Sequence, residues 1–237
     1  MQIIAHRGRT SLVESENTIE AFQAAIDLGI SWIEFDLRCT RDGYIVCYHD
    51  KKIDGHKIKN LTYDRLSAIA KGKGFTVPLF IEIIELCRGK IGLDIEIKTE
   101  GYEDIIVAIL LKYLNYSQFV IKSFNDSSVM KIKRIDPRIK VGLLIGRLPP
   151  KNIWHISILQ FFPEYRIFRT GADFISPNYR LLRFGFLWRM NRIGKEVYIW
   201  TVNKEPLLTK FIANRQISAI ITDRPELAMR ILAGRQD

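Results

Sequence analysis

Two short segments carry the residues with the clearest chemical potential. Segment 32–38 has Glu34 and Asp36 at alternate positions, and segment 92–98 has Asp94, Glu96 and Lys98 at alternate positions. Because side chains alternate faces along a strand, each segment would have one charged face and one apolar face. An exposed hairpin strand explains a single such segment equally well. Two of them favour a sheet whose charged face lines a site, because carboxylates crowd together only where a cation or protons compensate them.

An oxygen-only ligand set is the first chemical prediction from these segments. Glu34, Asp36 and Glu96 supply carboxylates without thiolates, which suits a hard cation such as Mg²⁺ or Ca²⁺ better than zinc. Asp94 could be a fourth ligand or a hydrogen-bond acceptor behind the ligands, and the sequence does not decide between these roles.

Two cations and two histidines complete a set that could cleave a phosphoester. Arg7 and Lys98 would hold a phosphate, the arginine through its fork and the lysine as a point charge. His6 and His49 can act as general acid and base near neutral pH. Simpler explanations exist for these residues, because a lone histidine at a strand end is more often a surface or hydrogen-bonded residue, and Glu96 with Lys98 could be a simple ion pair. We place His56 and His155 on the surface.

The elements that would position these residues alternate between strand-like and helix-like hydrophobic periods. Eight strands, each followed by a helix, predict a (β/α)₈ TIM barrel. A doubly wound open sheet is the alternative, but it needs a glycine-rich phosphate turn after the first strand, and residues 6–9 do not form one. The predicted strands are 2–6, 32–38, 91–98, 119–123, 141–145, 173–176, 197–202 and 219–222, with a further strand at 44–49.

We expect one domain over 1–237 with a small insertion at about 50–76. Predicted helices include one within 152–168 and one over 179–193. The active site of such a barrel lies at the C-terminal ends of the strands. His6, Arg7, Glu96 and Lys98 close their strands there, and Glu34 and Asp36 lie late in theirs.

Composition excludes several protein classes. The 237 residues are 47% hydrophobic and 26% charged, which excludes disordered and fibrous proteins. Three cysteines without a metal-binding or disulfide pattern fit a reducing compartment. Neither a signal peptide nor a long apolar segment is visible, so we expect a cytoplasmic protein.

An ordered set of short motifs resembles the glycerophosphodiester phosphodiesterase family. The motifs are His6-Arg7-Gly8, Glu16-Asn17-Thr18, Glu34-x-Asp36, Thr40-x-Asp42-Gly43, His49-Asp50, Glu96-Ile97-Lys98, Ser123-Phe124, Trp200-Thr201-Val202-Asn203 and Thr222-Asp223-x-Pro225. The resemblance covers essentially the whole chain. Ser15, where the family usually has proline, and the run 52–55 depart from the family pattern, and both concern the insertion and substrate rim rather than the catalytic set.

The resemblance implies a TIM barrel that hydrolyses glycerophosphodiesters to sn-glycerol 3-phosphate and an alcohol. It implies a divalent metal on Glu34, Asp36 and Glu96, acid and base roles for His6 and His49, and phosphate contacts from Arg7 and Lys98. Phe124 and Trp200 would line the pocket for the alcohol or lipid part of the substrate. Lysophospholipase D-type cleavage of lysophospholipids is the alternative activity, and a non-catalytic phosphate-binding barrel is the alternative from another class.

Positive charge concentrates in the second half of the chain. Residues 130–195 contain 14 Lys and Arg against three acids, in a chain of net charge +10. Residues 147–192 interleave basic and aromatic side chains, which suits nucleic acid, an anionic membrane surface, or helices with solvated basic faces. We expect a small-molecule or lysolipid substrate and no nucleic acid. For 147–192 we favour outer helices, with a homodimer or weak membrane contact as alternatives.

Overall fold

The computed structural model describes residues 1–13, 15–146 and 160–234, and these residues build a barrel. Their strands are β1 (Gln2–His6), β2 (Trp32–Cys39), β3 (Ile45–Cys47), β4 (Lys52–Ile53), β5 (His56–Lys57), β6 (Gly92–Ile97), β7 (Phe119–Ser123), β8 (Val141–Ile145), β9 (Phe174–Pro177), β10 (Glu196–Ile199) and β11 (Ala219–Thr222). Eight of them are parallel and close in the order β1-β2-β6-β7-β8-β9-β10-β11, with β11 paired to β1. The predicted (β/α)₈ barrel is confirmed.

Helices connect the parallel strands on the outside of the barrel. Within the described ranges they are Ile19–Asp27, Tyr63–Gly72, Phe80–Cys87, Glu103–Tyr113, Asp126–Ile135, Glu164–Thr170, Phe186–Arg192, Glu205–Ile212 and Pro225–Ala233. The Thr18 hydroxyl accepts a hydrogen bond from the Ala21 amide and so fixes the start of the first helix. Prolines near the N-termini of the last two helices favour helix starts there. Proline has no backbone N–H that would lack an acceptor in the first turn, and its fixed φ suits the helix.

The core consists of an outer shell and a barrel interior. Ile33, Phe35 and Leu37 of β2 point outward, as predicted, and pack with Phe22 and Phe80 of the covering helices. Burying side chains of this size contributes about 1.5–3 kcal/mol each.

Large and small residues alternate in the lower half of the barrel interior. Gly92 faces the Trp32 ring, where a Cβ would approach to 2.5 Å, and Gly142 faces the Phe174 ring in the same way. Trp32, which the sequence left without a role, is therefore a space-filling residue of the interior.

An excursion follows β2 and packs beside the barrel. Strand β3 runs antiparallel to the end of β2, and the short hairpin of β4 and β5 leads to the helix Tyr63–Gly72. Their apolar side chains form a separate cluster with Val46 and Val77. The division into one domain with this insertion stays a prediction.

One predicted helix is wrong in its bounds. Segment 179–193 contains a short 3₁₀ turn at Tyr179–Leu181, a loop, and a helix only from Phe186 to Arg192. Phe184 at φ 53° and Gly185 at φ 66° adopt left-handed backbone, which interrupts a helix. The helix predicted within 152–168 lies partly outside the described residues, which from 160 onward contain the helix Glu164–Thr170.

None of the helices in the described ranges is long and apolar enough to cross a lipid bilayer.

Candidate active site

Three buried carboxylates meet at the inner face of the barrel. Glu34 and Asp36 come from β2 and Glu96 from β6, and the parallel register pairs Asp36 directly with Glu96. One oxygen of each residue lies within 4.8 Å of an oxygen of the other two. The structure therefore brings together all three residues that the sequence suggested as metal ligands. Such an oxygen-only set suits a hard divalent cation.

The electrostatics of these carboxylates indicate a deficit of positive charge. Burial raises the pKa of Glu96 to about 7, and repulsion from Asp36 and Glu34 adds to the effect of burial while Lys98 opposes it. Burial also favours a higher pKa for Asp36, but attraction by Lys98 and Arg7 outweighs burial and holds that pKa below its usual range. A divalent cation would remove the reason for Glu96 to keep a proton, so the residues present fit such an ion.

Arg7 and Lys98 reach the same carboxylates. Lys98 Nζ lies 2.6 Å from Glu96 Oε1 and 3.0 Å from Asp36 Oδ1. Arg7 Nε lies 3.4 Å from Asp36 Oδ2, and its Nη1 donates a hydrogen bond of 2.5 Å to Glu16 Oε1. The Glu96–Lys98 ion pair considered as an alternative is therefore present. Both cations also line the same cavity, where they could contact a phosphate.

A tight turn after β1 fixes Arg7. Arg7 has φ 55° and Gly8 has φ 71°, and a side chain at Gly8 would overlap the Phe22 ring. The backbone N–H of Arg7 donates to Glu34 Oε2 at 3.1 Å, and the backbone carbonyl of Arg7 accepts from the backbone N–H of Asn17 at 2.9 Å. A non-glycine residue with positive φ is uncommon, and the surrounding contacts hold it here.

His6 is oriented by an aspartate from the opposite end of the chain. Its Nδ1 lies 2.7 Å from Asp223 Oδ1, while its Nε2 lies 4.0 Å from Glu34 Oε2. The Asn203 side chain in turn donates to Asp223 and accepts from the Asp223 amide. Burial favours a higher pKa for Asp223, but the hydrogen bond and charge of His6, together with Asn203 and Arg9, outweigh burial and lower that pKa. Nε2 of His6 is therefore the nitrogen that faces Glu34, one of the three clustered carboxylates.

His49 lies across the cavity on the chain that follows β3. Its Nδ1 lies 2.8 Å from Asp50 Oδ1, and its carbonyl accepts two hydrogen bonds from Arg38, at 3.0 Å from Nε and 2.6 Å from Nη2. Arg38, which had no predicted role, thus fixes the backbone of His49. Burial and the charge of Lys98 lower the pKa of His49, while Asp36 opposes this change. The neutral imidazole is favoured, and that form accepts a proton.

Two residues that contact the site carboxylates received no role from the sequence. Buried Asn17 donates from Nδ2 to Asp36 Oδ2 at 2.9 Å. Lys122, 1% exposed, places Nζ 2.6 Å from Asp94 Oδ2 and 3.5 Å from Glu34 Oε1. A single lysine inside the apolar strand β7 was the available signal, because a buried charge requires a partner. Asp94, whose role the sequence left open, is that partner.

Burial is the largest influence on the pKa of both members of the Asp94–Lys122 pair. Burial raises the pKa of Asp94 to about 6 although Lys122 opposes the change. Burial favours a lower pKa for Lys122, but the charges of Asp94 and Glu34 outweigh burial and raise it. The shifts agree on a charged lysine held between two carboxyl groups, so Lys122 connects Asp94 to Glu34.

These side chains surround one cavity of about 250 Å³. Phe124 and Trp200 form its apolar wall with an edge-to-face contact, 5.9 Å between ring centroids, and Trp200 Nε1 donates to the Ser176 carbonyl. Asp36 lies just behind the lining. The lining residues are His6, Arg7, Glu34, His49, Glu96, Lys98, Lys122, Phe124, Leu144, Trp200, Thr201 and Ile221.

Comparisons with known proteins concern the family and the fold of the chain. The model of the glycerophosphoryl diester phosphodiesterase family matches residues 6–227. A glycerophosphodiester phosphodiesterase of Caldanaerobacter subterraneus subsp. tengcongensis is 29% identical over 250 residues, which cover 97% of each chain. The crystal structure of a glycerophosphodiester phosphodiesterase from Thermotoga maritima is similar with a TM-score of 0.77, 25% identity and 97% coverage of each chain. An Oleispira antarctica phosphodiesterase, solved with its product sn-glycerol-3-phosphate, shares the fold with a TM-score of 0.81, 24% identity, and coverage of 98% of this chain and 97% of that one.

Proposed function

Because the chain belongs to the glycerophosphoryl diester phosphodiesterase family, we propose that it hydrolyses glycerophosphodiesters to sn-glycerol 3-phosphate and an alcohol with a bound divalent metal. The chain is an enzyme of that family. One observation carries the proposal: Glu34 and Glu96 line a cavity that also contains two histidines and two cations, and Asp36 lies just behind them, with oxygens of the three carboxylates within 4.8 Å of one another. A non-catalytic phosphate-binding barrel would need the cations but not the acid and base.

Glu34, Asp36 and Glu96 would hold the metal. A divalent cation there, Mg²⁺ or Ca²⁺, supplies Lewis-acid stabilisation of the charge that develops on the phosphoryl oxygens. Asn17 orients Asp36 through its side-chain amide, and Lys122 orients Glu34.

Arg7 and Lys98 would neutralise the phosphate of the substrate. Both groups lie in the cavity and are held beside the carboxylates, Lys98 at 3.0 Å and Arg7 at 3.4 Å from Asp36. Preorganised cations of this kind stabilise the negative charge of a phosphoryl transition state without reorganisation during the reaction.

His49 would act as the base and His6 as the acid in the first step. His49 takes the proton of the glycerol 2-hydroxyl as its oxygen bonds to phosphorus, and His6 donates a proton to the departing alcohol oxygen. Water then opens the cyclic phosphate with the two roles reversed. The lowered pKa of His49 supports its role as base, and the Asp223 contact supports His6 as the oriented acid.

Product release tests the proposal. Glycerol 3-phosphate and choline would be followed from glycerophosphocholine with Mg²⁺, Ca²⁺ or a chelator, in the wild type and in the His6→Ala and Glu34→Ala variants. We expect metal-dependent release in the wild type and losses of at least about 100-fold in both variants. Turnover that resists the chelator, or wild-type rates in either variant, would contradict the proposal. His56→Ala is the matched control, because His56 lies in the exposed β4–β5 hairpin.

Lysophospholipase D-type cleavage is the second candidate activity. The apolar wall of Phe124 and Trp200 favours it, because an acyl chain needs apolar surface beside a charged site. Choline release from lysophosphatidylcholine, measured in parallel, separates the two activities. A cytoplasmic location and a homodimer stay predictions.

A further inference from the structure

Five aromatic side chains are exposed on the segments that follow β8 and β9. Phe162, Tyr165, Phe168, Phe184 and Trp188 have exposed fractions of 49%, 72%, 89%, 68% and 57%, and we call them the aromatic rim. Phe162 precedes the helix Glu164–Thr170, and Phe184 lies in the loop that follows β9. Phe162 and Phe184 therefore lie in connections after strands, at the catalytic end of the barrel, and the other three lie on the helices that begin there. Among the described phenylalanine, tyrosine and tryptophan residues, Tyr44 is the one other with a comparably exposed side chain.

Arginines accompany the aromatic rim. The guanidinium of Arg189 lies 4.4 Å from the centroid of the Phe162 ring, and that of Arg192 lies 5.3 Å from the Trp188 ring. Residues 160–192 contain six arginines, of which Arg166 and Arg169 pair with Asp126 and Arg189 pairs with Glu164. In the described part of the chain, Arg183 and Arg192 have no carboxylate within 4 Å. The rim is therefore both apolar and positively charged.

The rim is continuous with the wall of the cavity. The Tyr179 amide donates to the carbonyl of Trp200 at 3.0 Å, which ties the Phe184 loop to that wall. Arg166, in the helix that carries Tyr165 and Phe168, donates from Nη2 to the Phe124 carbonyl at 3.3 Å. A surface in contact with the rim would lie beside the entrance of the cavity.

We propose that the aromatic rim docks the catalytic face on an anionic phospholipid surface. Phenylalanine and tryptophan insert at the boundary between head groups and acyl chains, and arginines bind the phosphates around them. A second copy of the chain fits less well, because a two-fold contact would oppose two positively charged patches.

Docking would select a class of substrate, and this part of the inference rests on the proposed function. A lysophospholipid is a glycerophosphodiester that carries an acyl chain and resides in membranes. A rim beside the cavity would let the enzyme draw such a molecule from the bilayer past Phe124 and Trp200. This relation to the cavity favours lipid over nucleic acid, whose strand would need a groove along the rim.

Vesicle co-sedimentation tests the docking. The wild type would be mixed with vesicles of phosphatidylcholine alone, or with a third of phosphatidylglycerol, at low and high salt. The test variant combines Phe168→Ser with Phe184→Asn, because asparagine tolerates the left-handed backbone at 184. The control combines Ile105→Ser with Leu111→Ser, two exposed positions of the helix Glu103–Tyr113.

We expect binding to the anionic vesicles at low salt, and weaker binding at high salt and to neutral vesicles. The test variant should lose at least about tenfold in partition, since each buried ring contributes on the scale of a tenfold change, while the control keeps wild-type partition. No pelleting of the wild type, or equal partition of the test variant, would overturn the proposal. Binding to a single-stranded RNA that the test variant loses, without vesicle binding, would also overturn it.

Hydrolysis of soluble glycerophosphocholine separates this proposal from the proposed function. The test variant should retain the wild-type rate on that substrate, because neither altered residue lines the cavity. The same variant should cleave vesicle-bound lysophosphatidylcholine at least about tenfold more slowly. Vesicle binding without hydrolysis of either substrate would contradict the proposed function and leave the docking intact.

Discussion

Replacement of Lys122 by methionine tests the buried charge pair that supports the site. Lys122 is fully buried, with Asp94 Oδ2 at 2.6 Å and Glu34 Oε1 at 3.5 Å. Methionine keeps most of the side-chain volume but leaves the Asp94 carboxylate without its counter-charge. Removal of one partner of a buried pair typically costs about 3–5 kcal/mol of unfolding free energy.

That cost can be converted into a melting temperature. Each kcal/mol lowers the melting temperature by roughly 2–4 °C in a chain of this size, so Lys122→Met should melt about 6–20 °C below the wild type. The smaller losses of melting temperature are expected at pH 7 and below. Loss of Lys122 raises the pKa of Asp94 further, and protonation then removes the charge of Asp94. Thermal unfolding followed by circular dichroism, at pH 6 and pH 8, would measure both effects.

Two further variants make the test specific. Lys140→Met is the matched control, because Lys140 also has a carboxylate at 2.6 Å, on Glu196, but is partly exposed. It should cost less than about 1 kcal/mol. Adding Asp94→Asn to Lys122→Met removes the unpaired charge and should recover much of the loss. Equal losses in the two lysine variants, or additive losses in the double variant, would refute the reasoning.

Three further predictions concern the site itself. Asp223→Asn should lower kcat by about 100-fold or more while leaving KM within a few-fold, because His6 loses its charged carboxylate acceptor. Asp50→Asn, at an exposed pair, should cost much less, and equal losses would count against a special role for Asp223. Mg²⁺ or Ca²⁺ at 100 times its dissociation constant should stabilise the fold by about 2.7 kcal/mol, and Glu34→Gln should abolish this rise in melting temperature. In chelator, the free energy of unfolding should fall as pH rises from 4.5 to about 7, because folded Glu96 keeps a proton that the unfolded chain releases; denaturant unfolding of Glu96→Gln across this range should give a flatter profile.

The sequence predicted the barrel because each strand has its own local signal. Strands 119–123, 141–145 and 219–222 have the predicted bounds, since short runs rich in β-branched residues end at clear turns or helix starts. The helix over 179–193 was wrong because the left-handed backbone at Phe184 depends on tertiary contacts. Phe184 packs against Phe161 and Phe162, which a local pattern does not contain.

The residues of the site could be predicted from the sequence, but many of the contacts between them could not. Glu34, Asp36 and Glu96 share one face of two strands that the barrel places side by side, so alternation alone brought them together. The contact between His6 and Asp223 spans almost the whole chain, and only the pairing of β1 with β11 creates it. Residue spacing could not reveal it, although Asp223 lies in a motif that the resemblance included.

The central claim is that the three carboxylates hold the metal on which hydrolysis depends. The most direct measurement titrates the chelator-treated protein with Ca²⁺ or Mg²⁺ by calorimetry, and follows glycerol 3-phosphate release from glycerophosphocholine at each point of the titration. We predict that one ion binds per chain, that activity rises in proportion to the occupied fraction, and that Glu96→Gln weakens binding and activity together. Full activity before any ion binds, or unchanged binding in both Glu34→Gln and Glu96→Gln, would contradict this account.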